Sequence, residues 1–404
     1  MKIVYITAHA PYGRGETFVV EEMFAVVENG VELLIIPRNP PKEVFHEQSR
    51  RLLKYAVWLP LLRWRFLISF LAAVITKPKM WKVLVNIICQ SRNIRMVFKN
   101  LAVAPKAAFV AQLLNRAKVD HIHVHWGSTT ATMAWIISEL TGIPWSMTMH
   151  RWDIAENNLL KLKVNQANFV RCISEDGRRE VLRIVGEEHH DKIKVLHMGV
   201  RLPRVILRQS PLQRTNYVVA CPANLVPVKG HRYLVEACAK LLEKDIRAIK
   251  ILIIGDGPLE AEIHQQVKQL GLDEVVEFVG RLPHEQLMHM YERGEVDAVV
   301  LPSITTDDDE REGIPVALME AMAYGIPVVS TNTGGIPELL SDGAGIVVKE
   351  KDAQGLASAI EKLIKDEKFA AEVGKRGQQK VEEEFNLQRN VMLLLQNIKN
   401  RAKS

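Results

Sequence analysis

Residues 312–338 read EGIPVALMEAMAYGIPVVSTNTGGIPE, and the fold can be worked outward from this stretch. Ala317 to Ala323 are good helix formers. Pro315 suits the first helical position, where its missing N–H would be unpaired in any case. Gly325 can end the helix in the left-handed conformation. Pro327–Ser330 then reads as a short buried strand. A helix turned directly into an apolar strand is the working unit of a parallel α/β sheet.

The same alternation extends both ways. Tyr217–Cys221, Lys250–Ile254, Val275–Val279, Ala298–Leu301 and Gly345–Val348 read as strands separated by helical stretches. This pattern predicts a parallel sheet with right-handed crossovers. The first half repeats it with Lys2–Thr7, Val31–Ile36, His121–His125, Trp145–Met149, Phe169–Ile173 and Lys194–His197. A Pro- and Arg-containing stretch, 201–216, divides the halves. The expected domains are 1–200 and 201–375, with a last helical segment in 376–404 crossing back to the first.

Composition narrows the function class. Of 404 residues, 48% are apolar, enough for two cored domains. The four cysteines, Cys89, Cys172, Cys221 and Cys238, have no metal-site or redox spacing, so a reduced, cytoplasmic location is expected. The apolar run near Met1 is too short for a signal peptide, and it reads as a buried strand. Between Gln48 and Val119 there are 14 basic residues and no acidic one. Trp58, Trp64 and Trp81 lie among them. This block reads as a segment that meets an anionic membrane surface, peripheral on the inner face. The plainer reading is a set of core helices with solvated basic faces. No recognition motif for nucleic acid accompanies it.

The chemistry centres on the opening stretch. A helix start offers unpaired amides and a positive dipole end, which suits a pyrophosphate. Glu312 precedes that start and Glu320 lies about one and a half turns inside. Carboxylates accept hydrogen bonds well from vicinal sugar hydroxyls. Acids near helix starts are also common on ordinary surfaces, so spacing alone leaves both readings open.

The stretch as a whole resembles glycosyltransferase family 4, retaining enzymes of the GT-B fold. The resemblance includes Lys229-Gly-His231, Gly255-Asp-Gly-Pro-Leu-Glu260, Glu277-Phe-Val-Gly-Arg281 and Leu301-Pro-Ser303. In the first half it includes Pro11, Gly15-Glu-Thr-Phe18, His121-Ile-His-Val-His-Trp126, Gly142-Ile-Pro144 and His150-Arg-Trp-Asp-Ile154. The pattern is nearest to colanic-acid, capsular and exopolysaccharide enzymes. It implies two Rossmann-like, doubly wound parallel-sheet domains facing across a cleft.

The resemblance also implies roles. Lys229 would neutralise a diphosphate, Glu312 would hold donor-sugar hydroxyls, and His150 would sit beside the sugar. Glu320 would bind the nucleotide ribose. The amides of Ile314, Pro315, Val316 and Ala317 (Pro315 through its neighbours) would line the phosphate. Gly15 would let backbone approach it, and Arg281 would lie against the base. Relatives usually carry arginine where this chain has Asn224, so one positive charge is missing there.

The implied reaction moves a hexosyl group from a UDP- or GDP-sugar to a glycan acceptor, lipid-linked, in surface polysaccharide assembly. No cofactor and no metal are implied. Two other readings remain: a sugar-nucleotide epimerase of related fold, and a non-catalytic nucleotide-sugar binder. Gly255-Asp-Gly lacks the third glycine of a dinucleotide fingerprint. The acidic run Asp307–Glu310 reads as a solvated loop. His121, His123 and His125 share one face of a strand. They could form a ligand cluster, but no nearby cysteine or acid completes a tetrahedral set, and Trp126 with the family pattern favours strand-end packing and cleft lining.

Overall fold

The computed structural model describes residues 1–13, 16–41, 43–44, 47–203 and 215–401. The chain divides into two compact units, one of residues 1–198 with 387–404, the other of residues 199–386.

The first unit holds a parallel sheet of six strands: β1 (Lys2–Thr7), β2 (Glu32–Pro37), β3 (His121–His125), β4 (Trp145–Met149), β5 (Phe169–Cys172) and β6 (Ile193–Val195). Their order is β2-β1-β3-β4-β5-β6. The strands are apolar on both sides because helices cover both faces of such a sheet. Alternation along β1 shows this directly. Val4 and Ile6 belong to one core, with Phe66, Ala104 and Trp135. Ile3 and Tyr5 belong to the opposite core, with Val19, Met23 and Leu394.

The second unit repeats the plan with β7 (Tyr217–Pro222), β8 (Ile249–Ile254), β9 (Val276–Gly280), β10 (Ala298–Leu301), β11 (Val328–Thr331) and β12 (Ile346–Val348). Their order is β12-β11-β10-β7-β8-β9. In both units the strand order reverses beside the first strand: between β1 and β3, and between β7 and β10. Open α/β sheets bind ligands at the carboxyl ends of the strands where the order reverses.

One expectation changes. The single last helix is two, Glu367–Glu384 and Leu387–Arg401. Residues 376–384 therefore stay with the second unit, and only the final helix belongs to the first. Its Leu387, Val391, Leu394, Leu395 and Ile398 are buried, at the spacing of one helical face. The linker read at 201–216 lies largely outside the described residues. The basic block forms the helices Trp64–Thr76, Pro78–Gln90 and Ile94–Leu114.

Candidate functional site

In the second unit, the loop after β7 lies on the loop after β10. Gly230 allows this: its φ is +64°, and a Cβ there would come within 2.1 Å of the Pro302 carbonyl oxygen. The Ile304 amide donates to Val228 O at 2.9 Å, fixing the contact. Lys229, ending the short turn Pro227–Lys229, is thereby aimed across the β7/β10 reversal. Its Nζ donates to Glu312 Oε2 at 2.5 Å. Both side chains are mostly covered, with 20% and 16% of their surface exposed.

Glu312 is held from the other side by the loop after β11. Gly334 has φ +56°, and a Cβ there would meet the Glu312 carbonyl oxygen at 1.8 Å. The Gly335 amide donates to Gly313 O at 3.2 Å. The paired glycines are thus what let the backbone before the helix lie close against the loop after β11.

That helix is Val316–Ala323. Pro315 is its N-cap rather than its first residue, with extended backbone at φ −71° and ψ 121°. The amides of Leu318 and Met319 donate to Pro315 O, at 3.2 and 3.3 Å. Those of Val316 and Ala317 are the ones a first turn leaves without an intrahelical acceptor. No side chain caps this end among the described residues. Glu320 Oε1 lies 2.7 Å from His284 Nε2. His284 follows β9 at the same sheet edge, and reading the sequence did not single it out. Burial raises the Tyr291 phenol well above its ordinary range, and the nearby Glu320 charge adds to this.

The remaining second-unit candidates line the same rim. Asn224 and Arg281 are exposed in the loops after β7 and β9. The rim is stitched by the Leu225 amide to Asp256 O at 2.8 Å and by the Gly255 amide to Gly280 O at 2.9 Å. The structure therefore brings Lys229, Asn224, Arg281, Ile314, Pro315, Val316, Ala317, Glu312 and Glu320 to one edge of one unit. His150 belongs to the other unit, and Gly15 lies outside the described residues.

In the first unit, Glu16 bridges the β1/β3 reversal. Its carboxylate accepts from the amides of His9 and Ala10, both at 2.8 Å, and of Ala8 at 3.2 Å. It also accepts from Trp126 Nε1 at 2.6 Å. The Trp126 ring lies 4.3 Å from the buried His150 ring.

Behind His150 runs a buried polar chain. His150 Nε2 is 3.2 Å from His125 Nδ1, and His125 Nε2 is 2.9 Å from Glu22 Oε1. Arg171 Nη1 donates to Glu22 Oε2, and the Tyr5 hydroxyl donates to Oε1 at 3.2 Å. Burial alone would raise the Glu22 carboxyl, but Arg171 and the histidines hold it well below its usual range. Burial pushes His150 and His123 well down, and His121 down to about 3.

Glu22 corrects the reading that no acid lies near the histidine trio. It comes from the helix Thr17–Glu28 and places a carboxylate oxygen within 4.8 Å of ligand atoms of His123 and His125. Arg171 already supplies that carboxylate with a cation. His123 satisfies both ring nitrogens on Ser146 and Thr148, at 2.8 and 2.9 Å.

Residues 204–380 match the family model described as Glycosyl transferases group 1. The chain is 42% identical over 202 residues to "Putative colanic acid biosynthesis glycosyltransferase WcaL" of Escherichia coli K12, covering 49% of this chain and 48% of that protein. It is 36% identical over 197 residues to the amylovoran biosynthesis glycosyltransferase AmsK of Erwinia amylovora, covering 48% of each. The chain spans about half the length of these curated relatives. Among solved structures, Anabaena Alr3699/HepE in complex with UDP superposes with a TM-score of 0.74 at 19% identity, over 99% of this chain and 100% of that one. The fold is the GT-B fold of glycosyltransferases. Within it, the stretch that matches the group 1 glycosyltransferase model lies in the second unit.

Proposed function

We propose that the chain is a retaining glycosyltransferase of family 4 type. It takes a hexosyl group from a UDP- or GDP-sugar and passes it to a glycan acceptor, lipid-linked, in the assembly of a surface polysaccharide in the cytoplasm. The observation that carries this reading is the Lys229–Glu312 pair beside the uncapped start of Val316–Ala323. The names of relatives in colanic acid and amylovoran biosynthesis and the UDP bound by a structural neighbour support it.

The chemistry follows from charge. Breaking the anomeric bond leaves negative charge on a nucleoside diphosphate and positive character on the sugar. A diphosphate would draw Lys229 from Glu312, with the Val316 and Ala317 amides adding a fixed positive field. The released Glu312 would accept from sugar hydroxyls, and Glu320 from the ribose. Asn224 supplies no cation, so Lys229 and the helix start carry more of that load. His150, neutral and flanked by Trp126, would lie on the sugar side. An acceptor hydroxyl held in line supplies the rest.

The test is a screen of UDP- and GDP-sugars for thermal stabilisation, followed by transfer to extracted lipid-linked glycans. Conversion of the donor into an isomer without acceptor would indicate an epimerase. Binding without transfer or hydrolysis would indicate a non-catalytic relative.

A further inference from the structure

The helices Trp64–Thr76, Pro78–Gln90 and the first turns of Ile94–Leu114 each have two apolar sides. The inner side is ordinary: Phe66, Ala73, Met80, Val83 and Ile87 are buried in the first unit's core. The outer side is not. In the first helix Trp64, Leu67, Ile68, Leu71 and Ile75 recur at the spacing of one face, and all are exposed, Ile75 to 83% and Trp64 to 69%. Trp81, Val85 and Ile88 repeat the pattern on the second helix, and Ile94 with Phe98 on the third. Single exposed apolar residues need no explanation, but aligned stripes on three consecutive helices do.

Charge on the same helices and their caps identifies the occupant. Arg65, Lys77, Lys79, Lys82, Arg92 and Arg95 are exposed, and no acidic residue lies between Gln48 and Val119. The Trp64 ring carries the Arg65 guanidinium 5.8 Å from its centroid, and Trp58 carries Arg63 at 5.7 Å. A second copy of the chain would set cations against cations. A bilayer with anionic headgroups accepts both components: apolar side chains enter the acyl boundary, tryptophans sit at the headgroup level, and cations meet phosphate.

We infer that this face docks on an anionic phospholipid bilayer, with the helices lying in the interface. Trp64–Thr76 and Pro78–Gln90 have 13 residues each, short of the roughly 20 needed to span hydrocarbon. Ile94–Leu114 is long enough, but it is mostly buried, and its Lys106 is fully enclosed, donating to Pro37 O and Leu59 O at 2.6 Å and to Arg38 O at 2.9 Å. The inference does not depend on the transfer reaction.

Flotation of the whole chain with phosphatidylglycerol–phosphatidylcholine vesicles tests it, alongside pure phosphatidylcholine. The chain is expected to float with the anionic vesicles at low salt, to release as salt rises, and to stay down with neutral ones. Lys79→Glu with Lys82→Glu should weaken binding by at least about fivefold for each cation lost. Leu71→Ser with Ile75→Ser should weaken it while leaving the salt dependence in place. Circular dichroism and melting confirm that these surface variants fold. On binding, tryptophan emission should shift blue, and Trp64→Ser should reduce the shift. Failure to float with anionic vesicles at low salt overturns the inference. So does equal flotation of both double variants with the parent chain. Concentration-dependent dimerisation abolished by Leu71→Ser with Ile75→Ser would assign the face to a second copy, and would also overturn it.

Discussion

Lys229 and Glu312 lie 83 residues apart in sequence, yet they form an ion pair across the point where the second sheet's order reverses. Each occupies the other. On the proposed function a diphosphate would break this contact, and the two residues should respond differently to substitution. Lys229→Met should lower kcat by about 10²–10³ through loss of leaving-group stabilisation. Glu312→Gln frees the ammonium, so it should leave UDP or GDP affinity unchanged or tighter while transfer falls. Steady-state kinetics and calorimetry on both variants separate the roles. Weaker nucleotide binding by Glu312→Gln would show that the carboxylate does not compete with the diphosphate.

Glu320 sits mostly covered at the rim, paired with His284. Glu320→Ala should weaken nucleoside-diphosphate binding by about 10- to 100-fold, the range for hydrogen bonds to a charged acceptor. His284→Ala should change it much less, because on the proposed function ribose would replace the imidazole at the carboxylate. Titration calorimetry gives both numbers. A larger loss from His284→Ala would make the histidine the contact residue.

Glu22 is buried with Arg171 and His125 as its partners. Glu22→Gln keeps the shape but leaves the Arg171 guanidinium without its countercharge. It should cost about 3–5 kcal/mol in urea unfolding, as breaking a buried pair does. A loss under about 1 kcal/mol would mean that the carbonyls of Leu196 and His197, which Arg171 also meets, carry that charge.

Acid should unfold the first unit early. His121, His123 and His150 have folded values pushed below the ordinary 6.5 by burial. Below pH 6.5 the unfolded chain binds protons that the folded one refuses. The stability these groups contribute is complete above 6.5 and is lost as pH falls toward their folded values. Three such groups give a slope of up to about 4 kcal/mol per pH unit. Denaturant melts at pH 7, 6 and 5 measure it. His121→Gln should reduce the slope by about 1.4 kcal/mol per pH unit. An unchanged slope would place the acid sensitivity elsewhere.

Strands were the most legible part of the sequence. Lys2–Thr7, His121–His125 and Trp145–Met149 have the same bounds in the structure as in the reading. Short runs rich in β-forming residues, buried on both faces and bounded by loop residues, leave little alternative. The break between the last two helices was not legible. Phe385 and Leu387 continue the apolar pattern, and Asn386 is a weaker stop than glycine or proline. At the site, the helix start and its two acids could be read locally, but their partners could not. His284 and Glu16 become relevant only because the topology brings strand ends together. Glu22 follows Glu21 on a helix, and nothing in that pair shows which one faces inward. Its partner Arg171 is 149 residues away.

The helix Leu387–Arg401 closes a core whose other walls are built from the first 198 residues. On the ribosome, the middle of the chain can therefore finish folding while the earlier-made part still waits for its last wall. Until then Ile3, Val19 and Met23 lack their cover, so the nascent chain exposes a sticky surface for most of its synthesis. A stop codon just after Asn386 would be expected to yield a sound second unit joined to an aggregation-prone first one, and not a protein trimmed of a dispensable tail.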